Sequence, residues 1–464
     1  MILKNARIYF KGSLRKGIIL INDGIIAEIK FKSKDKNLKK LVRKNQDKKE
    51  IDCENKIILP GIIDIHSHLR DMGQSEKETF ITGTKAAAFS GITTVFNMPN
   101  TIPPAITIDQ IKIWMQKAEN NIFVDVGFIA GVPKEINQDE IKLIIDLGII
   151  GFKIYPLDSL NDIDWKDPKN LQKLLRISSK FQIPIFIHAS YPLTEEQKSQ
   201  IRQEFNLWKG KTLEFHNKFD SVIAEEKYVN FVIENYKKCI EYNDLNPNSY
   251  PIIHFCHISC IESYLAIKNT QFSNKNLKIS FEVTPHHLLL SNNIKLSNEN
   301  YGKVLPPLRR EEHQKFLFNE LKEGNIKLIG TDHAPHTLEE KSQKYFDVPS
   351  GFPGFETYPL MMLNKVFNFQ LSLEKFVEIA SENPAIIFKL RKKGFIKEGY
   401  DADLVIINKV NDYMIDPQNF KTKAKFSPYE KFSTNVQIWK VFLRGIEINI
   451  EDSVPNGKII KKML

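Results

Sequence analysis

Chemically capable residues are densest where an apolar run ends, at Asp64-Ile65-His66-Ser67-His68-Leu69-Arg70-Asp71. Extended backbone sends residues i and i+2 to one side, so His66, His68 and Arg70 are expected to face a common space. Two neutral imidazoles there can hold a divalent cation. A guanidinium beside them can grip a carboxylate through two parallel hydrogen bonds. The competing reading is two chance histidines at a loop edge, because short motifs recur without function. The rest of the chain has to decide.

Further candidates fall at the ends of other β-rich segments: Asn100, Lys153, His188, His254 and His257, Glu282, and Asp332. A two-cation site can be written from them. His66 and His68 take one ion, and His188 with a histidine near 254–257 takes the second. Asp332 adds a carboxylate that can also accept a proton from bound water. Two ions sharing a hydroxide lower its pKa toward neutrality. They need a bridging anion, and Lys153 supplies one only as a carbamate. Its plain alternative is a buried lysine paired with Asp332. His254 and His257 are three apart and point to opposite sides of an extended chain, so one ligand is expected, with His257 nearer the mouth. Arg70, Asn100 and His336 add donors suited to an anionic, amide-rich substrate. Asn100 has an alternative role in an Asx turn. Cys256 and Glu282 are read as a buried small residue and a structural carboxylate, with metal binding as the alternative.

These residues need a frame. Apolar β-rich segments at 61–65, 93–98, 122–128, 151–155, 183–187, 251–255, 277–283 and 327–330 alternate with amphipathic stretches at 76–90, 107–120, 138–147, 168–180, 224–240 and 311–323. Eight βα units suit a TIM-type (β/α)8 barrel, whose chemistry sits at the carboxyl ends of the strands. A doubly wound sheet is the runner-up, but no Gly-rich nucleotide fingerprint follows the first strand. Short strands at both chain ends, with an Asn22-Asp23-Gly24 hairpin turn, predict a small β-sandwich domain built from both termini. The expected division is 1–55 and 391–464 for that domain and 56–390 for the barrel. The stretch 192–222 is long for a barrel loop and reads as a lid or a surface elaboration.

Bulk properties exclude some classes. The 464 residues carry a net charge of +10. Residues 31–50 hold eight Lys and one Arg against Asp35, Asp47 and Glu50, a net +6. No stacking aromatics interleave with them, so a solvated loop is expected, with no nucleic-acid partner. Four cysteines in so long a chain argue for a reducing compartment. The N-terminus lacks a signal-peptide core, and no run of about 20 apolar residues suggests a membrane span. A cytoplasmic protein without a membrane partner is expected.

Taken together, the motifs resemble the amidohydrolase superfamily and, within it, the dihydroorotases. The resemblance rests on Asp64 through Arg70, Gly91-Ile92-Thr93-Thr94-Val95, Met98-Pro99-Asn100-Thr101, Gly151-Phe152-Lys153, His254-Phe255-Cys256-His257, Thr284-Pro285-His286-His287-Leu288, Gly330-Thr331-Asp332-His333-Ala334-Pro335-His336-Thr337 and Gly351-Phe352-Pro353-Gly354. It implies two zinc ions per subunit bridged by N6-carboxylysine at Lys153. His66, His68 and Asp332 would hold one ion, and His188 and His257 the other. Asp332 would move the proton during reversible cyclisation of N-carbamoyl-L-aspartate to (S)-dihydroorotate in pyrimidine biosynthesis. The substrate set it implies is His68, Arg70, Asn100, Leu305, His336 and Gly351. Partner expectations that accompany it are a homodimer and association with aspartate carbamoyltransferase. The alternatives are hydantoinase, dihydropyrimidinase or allantoinase activity, where the His-x-His-x-Arg and Met-Pro-Asn-Thr combination is not typical, or a non-catalytic scaffold. Two departures stand out: Asp71-Met72 where many relatives have Glu-Pro, and Leu305 where many bacterial relatives have Asn.

Overall fold

The computed structural model describes residues 1–31, 48–208, 210–449 and 453–462. The core of the lysine-rich stretch, 32–47, lies outside the described residues, and so does the solvated loop expected there.

The chain opens with β1 (Ile2–Phe10), β2 (Ser13–Asn22), β3 (Ile25–Phe31), β4 (Glu50–Asp52) and β5 (Ile57–Pro60). Asp23 and Gly24, both at positive φ, make the β2–β3 turn. Seven parallel strands then follow in chain order: β6 (Ile62–Ser67), β7 (Ile92–Asn97), β8 (Asp125–Gly131), β9 (Gly151–Ile154), β10 (Pro184–Ile187), β11 (Ile252–Phe255) and β12 (Ile279–Phe281). The eighth position is filled without a continuous strand. Val283 bridges Ile329, and Ser67 bridges His333. Here Thr331 N donates to Asp64 Oδ1 and His333 N to Thr331 Oγ1, while Asp332 takes a positive φ. Side chains therefore take backbone donors that a ladder would use, which is why the strand expected at 327–330 is reduced to bridges. The third strand begins three residues later than expected. Ile122 O accepts from Gly457 N and Phe123 N donates to Thr84 Oγ1, so both are paired outside a strand.

Helices alternate with these strands and lie on their outer side. Phe80–Phe89 and Ile108–Ala118 each start with a reciprocal capping box, from Thr79 and Thr107. Pro168–Phe181 is capped by Asp167 and buries Leu171, Leu174, Leu175 and Ile177, the spacing of one helical face. Burying each such aliphatic side chain stabilises by roughly 1.5–3 kcal/mol. Inside the ring pack Ile63, Ile65, Phe96, Met98, Ile129, Phe186 and Leu328. The ring is thus a filled core, open only at one end.

After the barrel come β13 (Leu404–Met414), β14 (Ser433–Leu443) and β15 (Ile446–Glu447). They join the opening strands in one mixed sheet ordered β15-β14-β13-β5-β1-β2-β3, with β4 beside β1. β5 enters β6 through Gly61 alone, so this sheet and the barrel share a nearly continuous strand. The last strand, β16 (Ile459–Ile460), returns to the barrel and pairs with Val126 and Gly127 of β8. Asp125 anchors the return. It accepts from Lys458 N (2.8 Å) and pairs with Lys393 (2.7 Å) and Arg444 (2.7 Å). Among the described residues no helix is long and apolar enough to cross a membrane.

Candidate active site

The strand ends converge on a cavity of about 250 Å³. Its walls include His66, His68, Arg70, Asn100, His188, His257, Leu305, Asp332 and Gly351, all of them expected from the sequence. His336 stands behind Arg70, with Nε2 3.3 Å from Arg70 Nη2 and 3.1 Å from Ser350 O. Tyr155, Leu157, Asp158, Val304, Ala334 and Ser350 complete the lining and were not anticipated. Tyr155 had a signal, since it is two residues past Lys153 in the same extended segment.

The strand alternation that suggested the site ends sooner than expected. β6 stops at Ser67, and Arg70, Asp71 and Met72 all take positive φ. Arg70 therefore reaches the cavity through a left-handed run, not along a strand. Asp71 holds that run: Oδ1 accepts from Met72 N (2.8 Å) and Oδ2 from Phe80 N (2.9 Å). An Asp in place of the common Glu thus serves the loop backbone.

Two groups of nitrogen donors face each other in the cavity. In the first, His68 Nε2 is 3.0 Å and His66 Nε2 is 3.4 Å from Asp332 Oδ1. In the second, His188 Nδ1 is 3.0 Å from His257 Nε2. The His66 and His257 ring centres are 5.1 Å apart, so the groups adjoin. Each ring has a neighbour that fixes or frees it. His68 Nδ1 meets Asn100 Oδ1 at 2.6 Å, and His66 Nδ1 meets Glu282 Oε1. His254 is a buried histidine bonded to Ser280 Oγ (2.9 Å) and near Glu282 Oε2 (3.3 Å). Lys153 is buried, and its Nζ lies 2.9 Å from Cys256 Sγ, so the Asp332 pairing considered above does not form. Cys256, Glu282 and His66 also place ligand atoms within 4.8 Å of one another.

Electrostatics favour a cation here. Burial lowers the pKa of His68 to about 4 and of His188 to about 3, and takes His257 well below its ordinary value. Their lone pairs are therefore free at neutral pH. Burial and Lys153 oppose charge on His66, yet Glu282, Cys256 and Asp332 outweigh them and raise it to about 10. Burial works against the Asp332 carboxylate, but His66 and His68 hold its pKa far below the usual range. Anionic surplus that retains a proton on His66 is surplus a metal ion would neutralise instead. His66, His68 and Asp332 place ligand atoms within 4.8 Å of one another and could hold a divalent ion, and His188 with His257 could offer two nitrogens to another. The charge of Lys153 acts on His66, His188, His254 and His257 alike, although Lys153 is not one of the lining residues.

Comparison with known proteins shows the family. Residues 57–458 match the model of the amidohydrolase family. A dihydroorotase of Methanosphaera stadtmanae is 35% identical over 418 residues, 89% of this chain and 88% of that protein. One of Methanosarcina acetivorans is 32% identical over 459 residues, covering 97% and 92%. Among solved structures, an L-hydantoinase (dihydropyrimidinase) from Arthrobacter aurescens superimposes with a TM-score of 0.84 at 26% identity over 99% of both chains. A dihydropyrimidinase from Brevibacillus agri gives 0.83 at 22% identity, over 99% of this chain and 98% of that one, a likeness of fold.

Proposed function

The chain belongs to the amidohydrolase family, among its dihydroorotases and thus the hydrolases of cyclic amides, and from that premise we propose how it acts. The reaction is the reversible cyclisation of N-carbamoyl-L-aspartate to (S)-dihydroorotate; His66, His68, Asp332, His188, His257 and a carboxylated Lys153 would hold two zinc ions. The observation that carries the substrate is Arg70. It is buried at the cavity wall and makes no ion pair with a carboxylate among the described residues. A buried guanidinium with no carboxylate in contact favours an anionic ligand. Hydantoin and allantoin carry no carboxylate; dihydroorotate carries one.

Metal ions in this site would supply Lewis acidity and bring the pKa of a water toward neutrality. The chain supplies the rest. Arg70 receives the substrate carboxylate, with Asn100 and His336 beside it. In ring opening, Asp332 accepts the proton of the attacking water and passes it to the ring nitrogen as the C–N bond breaks. Its low pKa keeps it as the carboxylate, the form able to accept. In closure, the ureido nitrogen attacks the side-chain carboxyl of carbamoyl aspartate, and Asp332 returns the proton to the departing water. Gly351 and Leu305 form part of the cavity wall that would receive the substrate. The step belongs to pyrimidine synthesis in the cytoplasm. A homodimer and contact with aspartate carbamoyltransferase accompany the reading as proposals of the same kind.

The test is direct. Zinc-loaded protein should consume dihydroorotate. Turnover of hydantoin or allantoin without dihydroorotate would overturn the assignment.

A further inference from the structure

Two buried lysines take no part in the reaction above. Lys303 is 8% exposed and Lys341 is fully buried. Lysines seldom sit so deep unless paired. Among the described residues neither ammonium meets a carboxylate. Lys303 Nζ donates to Tyr345 O (2.7 Å) and to Val348 O. Lys341 Nζ donates to Pro349 O and Gly351 O, each at 3.0 Å. All four acceptors belong to one segment, 345–351, whose end carries the cavity-lining Ser350 and Gly351. Gly351 N closes the clamp by donating to Lys303 O (2.9 Å).

The other faces of the two ammonium groups are aromatic. The Tyr345 ring centre is 4.4 Å from Lys303 Nζ, and the Phe426 ring centre is 5.4 Å from Lys341 Nζ. The ionisable groups acting on them are Asp347 on Lys303, and Glu340 together with Lys303 on Lys341. The charge of Lys341 is also felt at His336, and both lysines are felt at His216. Neutral amides could pin four carbonyl oxygens equally well. What lysine adds is charge, and among the described residues no carboxylate is in contact with it.

We propose that Lys303 and Lys341 are positioning residues that hold the Ser350–Gly351 edge of the cavity and bias it toward an anionic ligand. The proposal rests on the reading that the substrate carries a carboxylate. Burial lowers the pKa of Lys303 to about 8; burial, with Lys303 adding to it, lowers that of Lys341 to about 7. An anion in the cavity favours the ammonium forms. Binding should therefore draw protons onto the pair near neutrality, and affinity should fall as pH rises through these values.

The experiment uses the zinc-loaded full chain with Lys341→Met, Lys341→Gln and Lys303→Met. Steady-state kinetics with dihydroorotate and calorimetric binding of orotate in two buffers are run between about pH 6 and 9. Lys341→Met should raise KM about tenfold and change kcat far less, since a lost charge–charge interaction acts on binding. Lys341→Gln keeps a donor without charge and should keep the high KM. Orotate binding to the wild type should take up more protons than binding to either variant. Folded variants with the wild-type KM, pH profile and proton uptake would overturn the proposal. Lys303→Met and Lys341→Gln decide it should Lys341→Met not fold. Wild-type protein that binds orotate with lysine-dependent proton uptake, yet never turns over dihydroorotate, sinks the dihydroorotase reading and leaves the clamp standing.

Discussion

His188 Nδ1 and His257 Nε2 face each other at 3.0 Å on two rings that burial keeps neutral. One N–H at most can lie between them, whereas a divalent ion accepts both lone pairs. Metal analysis of the wild type should find two ions, and His188→Ala with His257→Ala should lower the count toward one. Zinc at about 100 times its dissociation constant should stabilise the fold by about 2.7 kcal/mol, and chelation should reverse the shift in melting temperature. Two ions retained in the double variant would sink the second site.

Asp332 is placed to be both ligand and proton carrier. Asp332→Asn keeps an oxygen for the metal but cannot accept the proton. The expected loss in kcat is roughly 10²- to 10⁴-fold with the thermal melt preserved. Retained turnover at normal metal content would assign the proton to another group.

Arg70 distinguishes a carboxylate-bearing substrate from a plain cyclic amide. Arg70→Met should raise KM for dihydroorotate roughly 10- to 100-fold. Arg70→Lys should recover only part of this, because an ammonium lacks the planar fork. Equal KM values in all three proteins would place the carboxylate elsewhere.

Gly351 lies at φ +125°, and a Cβ there would fall 2.7 Å from Ala334 O and 2.8 Å from Ala334 Cβ. Gly351→Ala should cost about 1–3 kcal/mol in chemical denaturation and also raise KM, since the strain is at the cavity wall. A neutral substitution would mean that this wall yields easily.

Glu356 gives a pH signature away from the metals. Burial raises its pKa to about 8, against the pull of Lys421 N and Thr422 N. The folded protein then holds a proton that the unfolded chain has released above its ordinary value of 4.5. Stability should fall as pH rises from about 5 to 8 and then level, by up to about 5 kcal/mol for this group. Glu356→Gln should flatten that slope in urea denaturation measured across the range. An unchanged slope would assign it to other carboxyls.

Much of this molecule was legible because its signals are local. The βα alternation follows from apolar runs and helix caps such as Thr79 and Thr107, each readable within a few residues. The histidines fell at strand ends for the same reason. Arg70 shows the limit. Its direction depends on Asp71 holding three left-handed residues, and strand alternation carries no trace of that. The Ser350–Gly351 wall was harder still. Gly351 entered through a motif, but what fixes it is Lys303 and Lys341, 48 and 10 residues earlier and ordinary in sequence. Leu157, Val304 and Ala334 line the cavity through loops whose course only tertiary packing decides.

The return of β16 to β8 has a consequence in time. Asp125 is buried early in the barrel, yet the groups that satisfy it, Lys393, Arg444 and Lys458 N, are synthesised some 270 to 330 residues later. At about 5–20 residues per second, the ribosome takes tens of seconds to deliver them. Until then Asp125 lacks these partners, and Val126 and Gly127 lack the β16 side of their pairing. A chain ending before Lys393 would leave that carboxylate without any of the three groups that satisfy it.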